Sequence, residues 1–353
     1  MSQPHSRELT DREEDILKTI ITLHIAHGKP VGSRILSKRH REKLSPASIR
    51  NIMADLEEAG YLMHPHTSAG RIPTDKGYRF YVDNLIEKDN LNKSEQESIS
   101  EDIFKTDSHD NVLMRISHTV SQLTDNIGFV ISPSLGQNSL KHIELIALSE
   151  NRILVVLVAR SGLVQNRIIR MAEPFSQSEL DQTARYVNEN YAGYSLLAIR
   201  NSVLQKMSEE KALYDRLLKN VILLCDRGLI DEVSGQDVDI YVDGASNLIN
   251  KPEFADTVRM RSLFRTFEEK SKLVKILNEC INAKPGDGVR IIIGSENTNP
   301  GMQDYALISS PLIQQDQSLG SVGILGPIRM EYARAISVVD YVAKLYGRIL
   351  IAN

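Results

Sequence analysis

Between Ser45 and Gly60 the chain carries a helix with two unlike faces, and no other stretch limits so closely what its module can be. Ser45 followed by Pro46 has the form of an N-cap and a first-turn proline, and Gly60 closes the segment. Ile49, Ile52, Met53 and Leu56 share one face at about 100° per residue. Ala47, Asn51 and Ala54 lie opposite, flanked by Ser48 and Arg50. Side chains this small and polar let a helix enter the DNA major groove. There Asn bonds adenine N6 and N7 together, Arg bonds guanine, and Ala touches a thymine methyl.

The flanking text builds a module around that helix. Thr10 and Glu13 have capping-box spacing, and Ile16, Leu17, Ile20, Leu23, His24 and His27 then share a face before Gly28 and Pro30, which predicts a helix over 11–27. Ser33 is placed to cap a short basic helix, Arg34 to Arg41. After Gly60, YLMHPHTSAGRIP reads as two short extended segments around a Thr-Ser-Ala-Gly turn, with Arg71 just past the tip. Thr74 caps a further helix whose Tyr78, Tyr81, Val82, Leu85 and Ile86 keep helical spacing. Helix, basic helix, polar-faced helix, hairpin, helix is winged helix-turn-helix order. A module of this shape also binds protein in some settings, and the DNA reading is the one favoured.

Charge points the same way. Residues 29–50 hold seven basic side chains against the single acidic Glu42, whereas residues 91–353 hold 28 basic and 33 acidic, a net of −5. A basic segment on an acidic chain suggests one module that meets a polyanion; a solvated charged face is the plainer reading. The phosphate-contacting set is then Lys29, Arg34, Lys38 and Arg39. Ser45, Ala47, Ser48, Arg50 and Asn51 meet base edges or adjacent phosphates, although Ser45 and Ser48 also read as caps alone. The wing set is His66, Thr67, Ser68 and Arg71, reaching the backbone or minor groove.

A chain of 353 residues is expected to hold two or three domains. KDNLNKSEQE, from Lys88 to Glu97, is almost free of apolar residues and predicts a linker, with a boundary near residue 90. An amphipathic helix over about 108–125 follows, then a strand at Gly128 to Ser132. Three strand-like runs come next, His142 to Leu148, Ile153 to Ala159 and Leu163 to Arg170, with turn signals at Glu150-Asn151 and Ser161-Gly162. Mostly helical text runs to about Arg227. Strands are predicted at Val238 to Val242, Val289 to Ile293, Ala306 to Ser310 and Val322 to Leu325, with helices to about Asn282 between the first two. A last helix carries Tyr332, Ile336, Val339, Ala343 and Tyr346 on one side. The region is α+β.

Other chemistry is missing from the text. The longest strongly apolar run, Ile153 to Ala159, is far short of the roughly 20 residues that cross a bilayer. No signal-peptide pattern opens the chain, and Cys225 and Cys280 are too few for a disulfide framework, so a cytoplasmic protein is expected. Walker, HExxH, CxxC and GxSxG motifs are absent, and the glycines of Gly320 to Gly326 have the wrong spacing for a dinucleotide fingerprint. No enzyme, no cofactor and no metal site is expected. His64 and His66 alternate as strand residues do, yet two ligands are too few for a metal, and His24 and His27 read as packed, hydrogen-bonded histidines.

Several stretches carry a resemblance to a known family. LSPASIRNIMADLEEAGYL and HPHTSAGRIPTDKGYRFYVD are similar to the N-terminal domain of the heat-inducible transcription repressor family, HrcA. DGASNLINKPEF, IIIGSEN and GSVGILGPIRMEYARAISVVDYV resemble its C-terminal region, so the likeness runs from about Leu9 to near the end, loosely over 172–232. It implies a homodimeric repressor that binds double-stranded DNA at an inverted-repeat operator before chaperone operons. The GroEL chaperonin keeps such a repressor active, and heat releases it. The resemblance places the recognition helix on Ser45 to Ala59 and the wing on His64 to Arg71. It departs at Ile52, where the family usually has an acidic residue, on the face predicted to be core.

By the same resemblance the fold class is α+β multidomain, with a winged helix-turn-helix domain at 1–90, a GAF-like domain at 91–135 and 233–353, and an inserted dimerisation domain at 136–232. The sequence also permits the three-strand meander to belong to the GAF-like sheet, with only the helices inserted. The alternative function is a metabolite-responsive winged-helix regulator that senses a ligand in its GAF-like part.

Overall fold

A computed structural model describes residues 9–39, 44–66, 70–86, 89, 91–105, 109–131, 139–160, 164–171, 173–209, 221–222, 240–249, 251, 288–314 and 317–349. The protein is mixed α+β with several sheets. Among the described residues, no helix is long and apolar enough to cross a membrane.

The first module follows its caps. Helix α1 spans Asp11–His27: the Glu13 amide donates to Thr10 Oγ1 at 3.4 Å, and Glu13 Oε2 accepts the Thr10 amide at 2.8 Å. Gly28 ends it at φ 64°, a left-handed turn that glycine adopts without a Cβ clash. Helix α2, Ser33–Arg39, starts one residue earlier than predicted. The Gly32 carbonyl accepts the Ile35 and Leu36 amides at 3.0 and 3.3 Å, so Gly32 takes the flanking position and Ser33 opens the helix. Its predicted end, residues 40–41, lies outside the described residues. Helix α3, Pro46–Glu58, has Ser45 as N-cap as expected. Strands β1, Leu62–Met63, and β2, Ile72–Pro73, form the hairpin; Thr74 caps α4, Asp75–Phe80, which continues as a π-helical turn over Tyr81–Leu85.

The second half of the predicted linker is helical. Helix α5, Lys93–Ile103, begins inside it, capped by Asn92 and Glu95, and Leu91 is buried. Two well-placed caps and the buried pair Ile99 and Ile103 are enough to order a stretch whose first turns are polar. Helix α6, His109–Thr124, leads into β3, Ile127–Ile131.

Strands β4, Leu140–Leu148, β5, Arg152–Ala159, and β6, Val164–Arg170, make an antiparallel sheet of their own. Glu150 and Asn151 take positive φ at the first turn; the Ser161-Gly162 turn lies outside the described residues. On β5 the residues Ile153, Val155, Leu157 and Ala159 are buried under α7, Gln177–Tyr191, and α8, Leu196–Glu209, while Leu154, Val156 and Val158 face the other way. Asn188 fixes α7 to β4 by accepting the Ile143 amide at 2.8 Å and donating to its carbonyl at 2.9 Å.

Four further strands join β3 in a five-stranded sheet, all antiparallel, in the order β7-β3-β10-β9-β8. They are β7, Ile240–Asp243, β8, Arg290–Ile293, β9, Tyr305–Gln314, and β10, Gln317–Pro327. The last two are longer than predicted. Helix α9, Ala245–Ile249, follows β7, and α10, Tyr332–Ile349, ends the described chain. Val130, Ile308, Val322 and Ile324 pack toward α6 and α10, while Phe129, Leu307 and Leu325 pack with Leu248 and Met302 on the opposite face. The helices predicted between α8 and β7, and those up to about Asn282, fall largely outside the described residues.

Among the described residues, buried side chains fall into three clusters. One belongs to the three-stranded sheet and its helices. Another is continuous from Ile16, Leu36 and Ile49 of the first module through Ile99 and Ile116 to Val338 and Tyr346 of α10. Among the described residues, this cluster includes both Val82 and Leu91, on either side of residue 90.

Candidate nucleic-acid interface

Helix α3 is held from behind. Ile49, Met53 and Leu56 are buried against α1 and α2, and Ile52 is half-buried on the same face, as its position predicted. The opposite side is solvent-exposed along Ala47, Ser48, Arg50, Asn51 and Ala54. Ser45 Oγ accepts the Ser48 amide at 3.1 Å and lies 3.0 Å from Ser48 Oγ, so both hydroxyls serve the cap in this structure. The first turn of α3 carries no acidic residue, which leaves its partial positive charge unopposed.

Lys29, Arg34 and Lys38 are exposed, and among the described residues no ion pair or hydrogen bond holds them, Arg50 or Asn51. They remain available to an outside partner. The backbone at Arg39 ends α2, but its side chain, with Thr67 and Ser68, lies outside the described residues.

The hairpin departs from the simple picture. His66 is exposed, but Arg71 is not a free cation: its Nε and Nη2 reach Glu57 Oε2 at 2.9 and 2.7 Å, with the side chain 13% exposed. His64 Nδ1 meets the other oxygen of that carboxylate at 2.6 Å. Burial pushes the Glu57 carboxyl up, but the hydrogen bond to His64 and the charge of Arg71 outweigh it and hold the group below its ordinary value. Behind this triad Val31 and Arg71 exchange backbone hydrogen bonds, both at 2.9 Å, which adds the segment before α2 to the hairpin. The sequence reading missed this bridge and Glu57; one paired residue has no period to detect.

The histidines of α1 divide. His24 Nδ1 lies 2.7 Å from the Tyr78 hydroxyl, as a packed histidine should, whereas His27 is exposed, a correction to the face predicted for it. His27 is the last residue of the helix, before the left-handed Gly28, and its side chain points to solvent. Among the described residues, no three of His, Cys, Asp and Glu stand close enough to hold a metal.

Residues 110–336 match the family model described as the HrcA protein C terminal domain. Over 344 residues the chain is 43% identical to the heat-inducible transcription repressor HrcA of Geobacter sulfurreducens, covering 97% of this chain and 98% of that protein. The chain belongs to the HrcA family of heat-inducible transcription repressors. The HrcA of Syntrophobacter fumaroxidans is 39% identical over 345 residues, with 97% and 98% covered. A solved structure described as a hypothetical protein at 2.2 Å resolution matches with a TM-score of 0.59 and 22% identity over 98% of this chain and 99% of that one, a likeness of fold. HrcA proteins are transcription repressors, not a family of enzymes, which implies DNA as a partner of the protein. The family model begins at residue 110, beyond α1 to α4, whereas the HrcA relatives span the first module as well.

Proposed function

We propose that the chain is a dimeric winged helix-turn-helix repressor that reads an inverted-repeat operator ahead of chaperone genes. The observation that carries this reading is the exposed row Ala47, Ser48, Arg50 and Asn51 on α3, together with exposed Lys29, Arg34 and Lys38, which no ion pair among the described residues holds. In this mechanism Arg50 and Asn51 meet base edges, while Lys29, Arg34, Lys38 and Arg39 set affinity through phosphates. His66, Thr67 and Ser68 extend the contact from the hairpin. Arg71 acts mainly by holding the hairpin to α3 through Glu57.

Residues 1–90 are taken as the reading domain, 91–135 and 233–353 as a GAF-like domain, and 136–232 as an inserted dimerisation domain. The separate sheet β4-β5-β6, with its own buried cluster, supports this division over one that puts the meander in the larger sheet. Its outer face supports the dimer: Leu148, Val164 and Ile168 are 36, 55 and 57% exposed there. A two-fold pair of modules reads two half-sites and so a long operator. The repressor works in the cytoplasm, the chaperonin GroEL favours its active form, and warming weakens it.

The test is a fluorescence-anisotropy titration against an inverted-repeat chaperone-promoter duplex and a scrambled one, at several salt concentrations, with and without chaperonin. Binding tighter to the repeat by about a thousandfold, with a steep salt slope, is expected. Equal weak binding to both duplexes, unchanged by chaperonin, would overturn the reading.

A further inference from the structure

Three stretches that carry the family resemblance lie far apart in the chain and meet at one seam. HPHTSAGRIPTDKGYRFYVD supplies Asp75 and Arg79, IIIGSEN supplies Ser295 and Glu296, and GSVGILGPIRMEYARAISVVDYV supplies Arg329 and Tyr332. None of these residues faces DNA in the mechanism above. Arg79 holds the Glu296 carboxylate with two nitrogens, Nε at 2.7 Å and Nη2, and Nη2 also donates to the Ile291 carbonyl at 2.7 Å. Glu296 Oε2 accepts the Ile293 amide at 2.9 Å, so the carboxylate is anchored to the sheet edge before it meets the arginine. Asp75, at the start of α4, accepts the Ser295 amide at 2.8 Å. A Cβ at Gly294 would stand 2.3 Å from Asp75 Oδ2, so the approach requires a residue without one.

A second point of attachment sits beside the first. Arg329 Nη1 donates to the Ile25 carbonyl at 2.7 Å, in the last turn of α1, where a cation suits the helix end. Between them the Tyr78 and Tyr332 rings pack with centroids 5.9 Å apart. Planar two-point Arg–carboxylate contacts fix direction as well as distance, and two attachments on different helices remove the remaining rotation.

We infer that Asp75, Arg79, Glu296 and Arg329 are positioning residues for operator recognition: they set the pose of α3 against the five-stranded sheet, and so the half-site spacing that the dimer accepts. This rests on the dimeric repressor reading above. Helix α1 has 17 residues and is about 25 Å long, a measure of the lever. A tilt of about 10° at the seam moves its far end by about 4 Å, more than one base step of roughly 3.4 Å. Loss of the clasp therefore blurs spacing before it harms the reading face.

The test is anisotropy binding to inverted repeats with identical half-sites and spacers changed one base pair at a time, together with a single half-site duplex. The full-length protein is compared with Glu296→Gln, Arg329→Gln, the double variant and Arg329→Lys. The wild type is expected to show one optimum, with affinity down about tenfold or more two base pairs away. The double variant is expected to flatten that profile to about threefold while its half-site affinity stays at the wild-type level. Arg329→Lys restores much of the profile, because an ammonium donates to the same carbonyl. A double variant with unchanged half-site affinity and an equally sharp optimum would overturn the inference. Tighter binding of the double variant at the optimum would also overturn it, by showing that the docked pose opposes DNA. A wild type indifferent to every repeat would overturn the repressor reading instead.

Discussion

The Arg71 guanidinium lies 2.7 Å from the Glu57 carboxylate, so the base of the hairpin is tied to the last turn of α3 across 14 residues of chain. The acid that neutralises Arg71 also holds His64. Glu57→Gln is expected to release positive charge toward DNA, raising affinity for random duplex and steepening the salt slope by up to about one unit. Specificity for the operator over random DNA falls, because the hairpin loses its fixed angle. Titration of the variant on both duplexes between low and moderate salt checks this; unchanged random-DNA binding would show the pair to be only structural.

Asn51→Ala and Lys38→Ala are expected to differ in kind. Removing the Asn51 amide costs on the order of 1–3 kcal/mol on the operator and little elsewhere, whereas removing the Lys38 charge weakens every duplex and lowers the salt slope by about one. Parallel titrations on operator and scrambled DNA separate the two.

Ile168→Glu places a charge on the exposed side of the three-stranded sheet, where Ile168 pairs with Leu154. The side chain is 57% exposed, so the fold tolerates the change. Sedimentation is expected to show a monomer with an unchanged circular-dichroism spectrum, and operator affinity should fall to that of one half-site. A stable dimer would move the interface elsewhere.

Acid should loosen the seam. Burial pushes the Glu296 carboxyl up, but the Arg79 hydrogen bonds, the Ile293 amide and the Arg79 charge more than offset it, leaving the group below its ordinary 4.5. A depressed carboxyl contributes stability that is fully present above the unfolded value and is lost as pH falls through the folded one. The melting temperature of the wild type is therefore expected to drop below about pH 4.5, and Glu296→Gln should lie lower at neutral pH and drop less over that window.

Gly128 lets β3 lie directly on α6. A Cβ there would meet the Ser117 carbonyl oxygen at 2.1 Å and the Ser121 nitrogen at 2.8 Å. Backbone cannot yield as a flexible side chain does, so Gly128→Ala is expected to cost about 1–3 kcal/mol or more in chemical denaturation.

What the sequence could disclose was local. The capping box at Thr10, the Ser45-Pro46 start, the helix stop at Gly28 and the strand-like run Ile153 to Ala159 each lie within one turn or one strand, and each is found where its pattern put it. The polar start of α5 misled because two caps and two buried isoleucines outweigh composition. The Val31–Arg71 bridge and the Glu57 pair join separate elements and leave no periodic trace. The seam is further still from legibility, since Arg79 and Glu296 are 217 positions apart and the loop holding Glu296 reads as a polar turn. The exposed α3 residues were visible because an outward face follows from helical spacing alone, whereas the Glu57 partner of Arg71 was not.

The order of the seam along the chain has a bearing on biosynthesis. Everything that clasps the reading module, Glu296, Arg329 and Tyr332, leaves the ribosome after a further 217 residues have followed Arg79. At about 5–20 residues per second that interval is on the order of 10–40 s. Throughout it Tyr78, buried in the finished protein, has its α1 neighbour His24 but lacks the Tyr332 ring that packs on it. That face of Tyr78 is therefore completed only by the last helix of the described chain, an interval longer than most folding steps last.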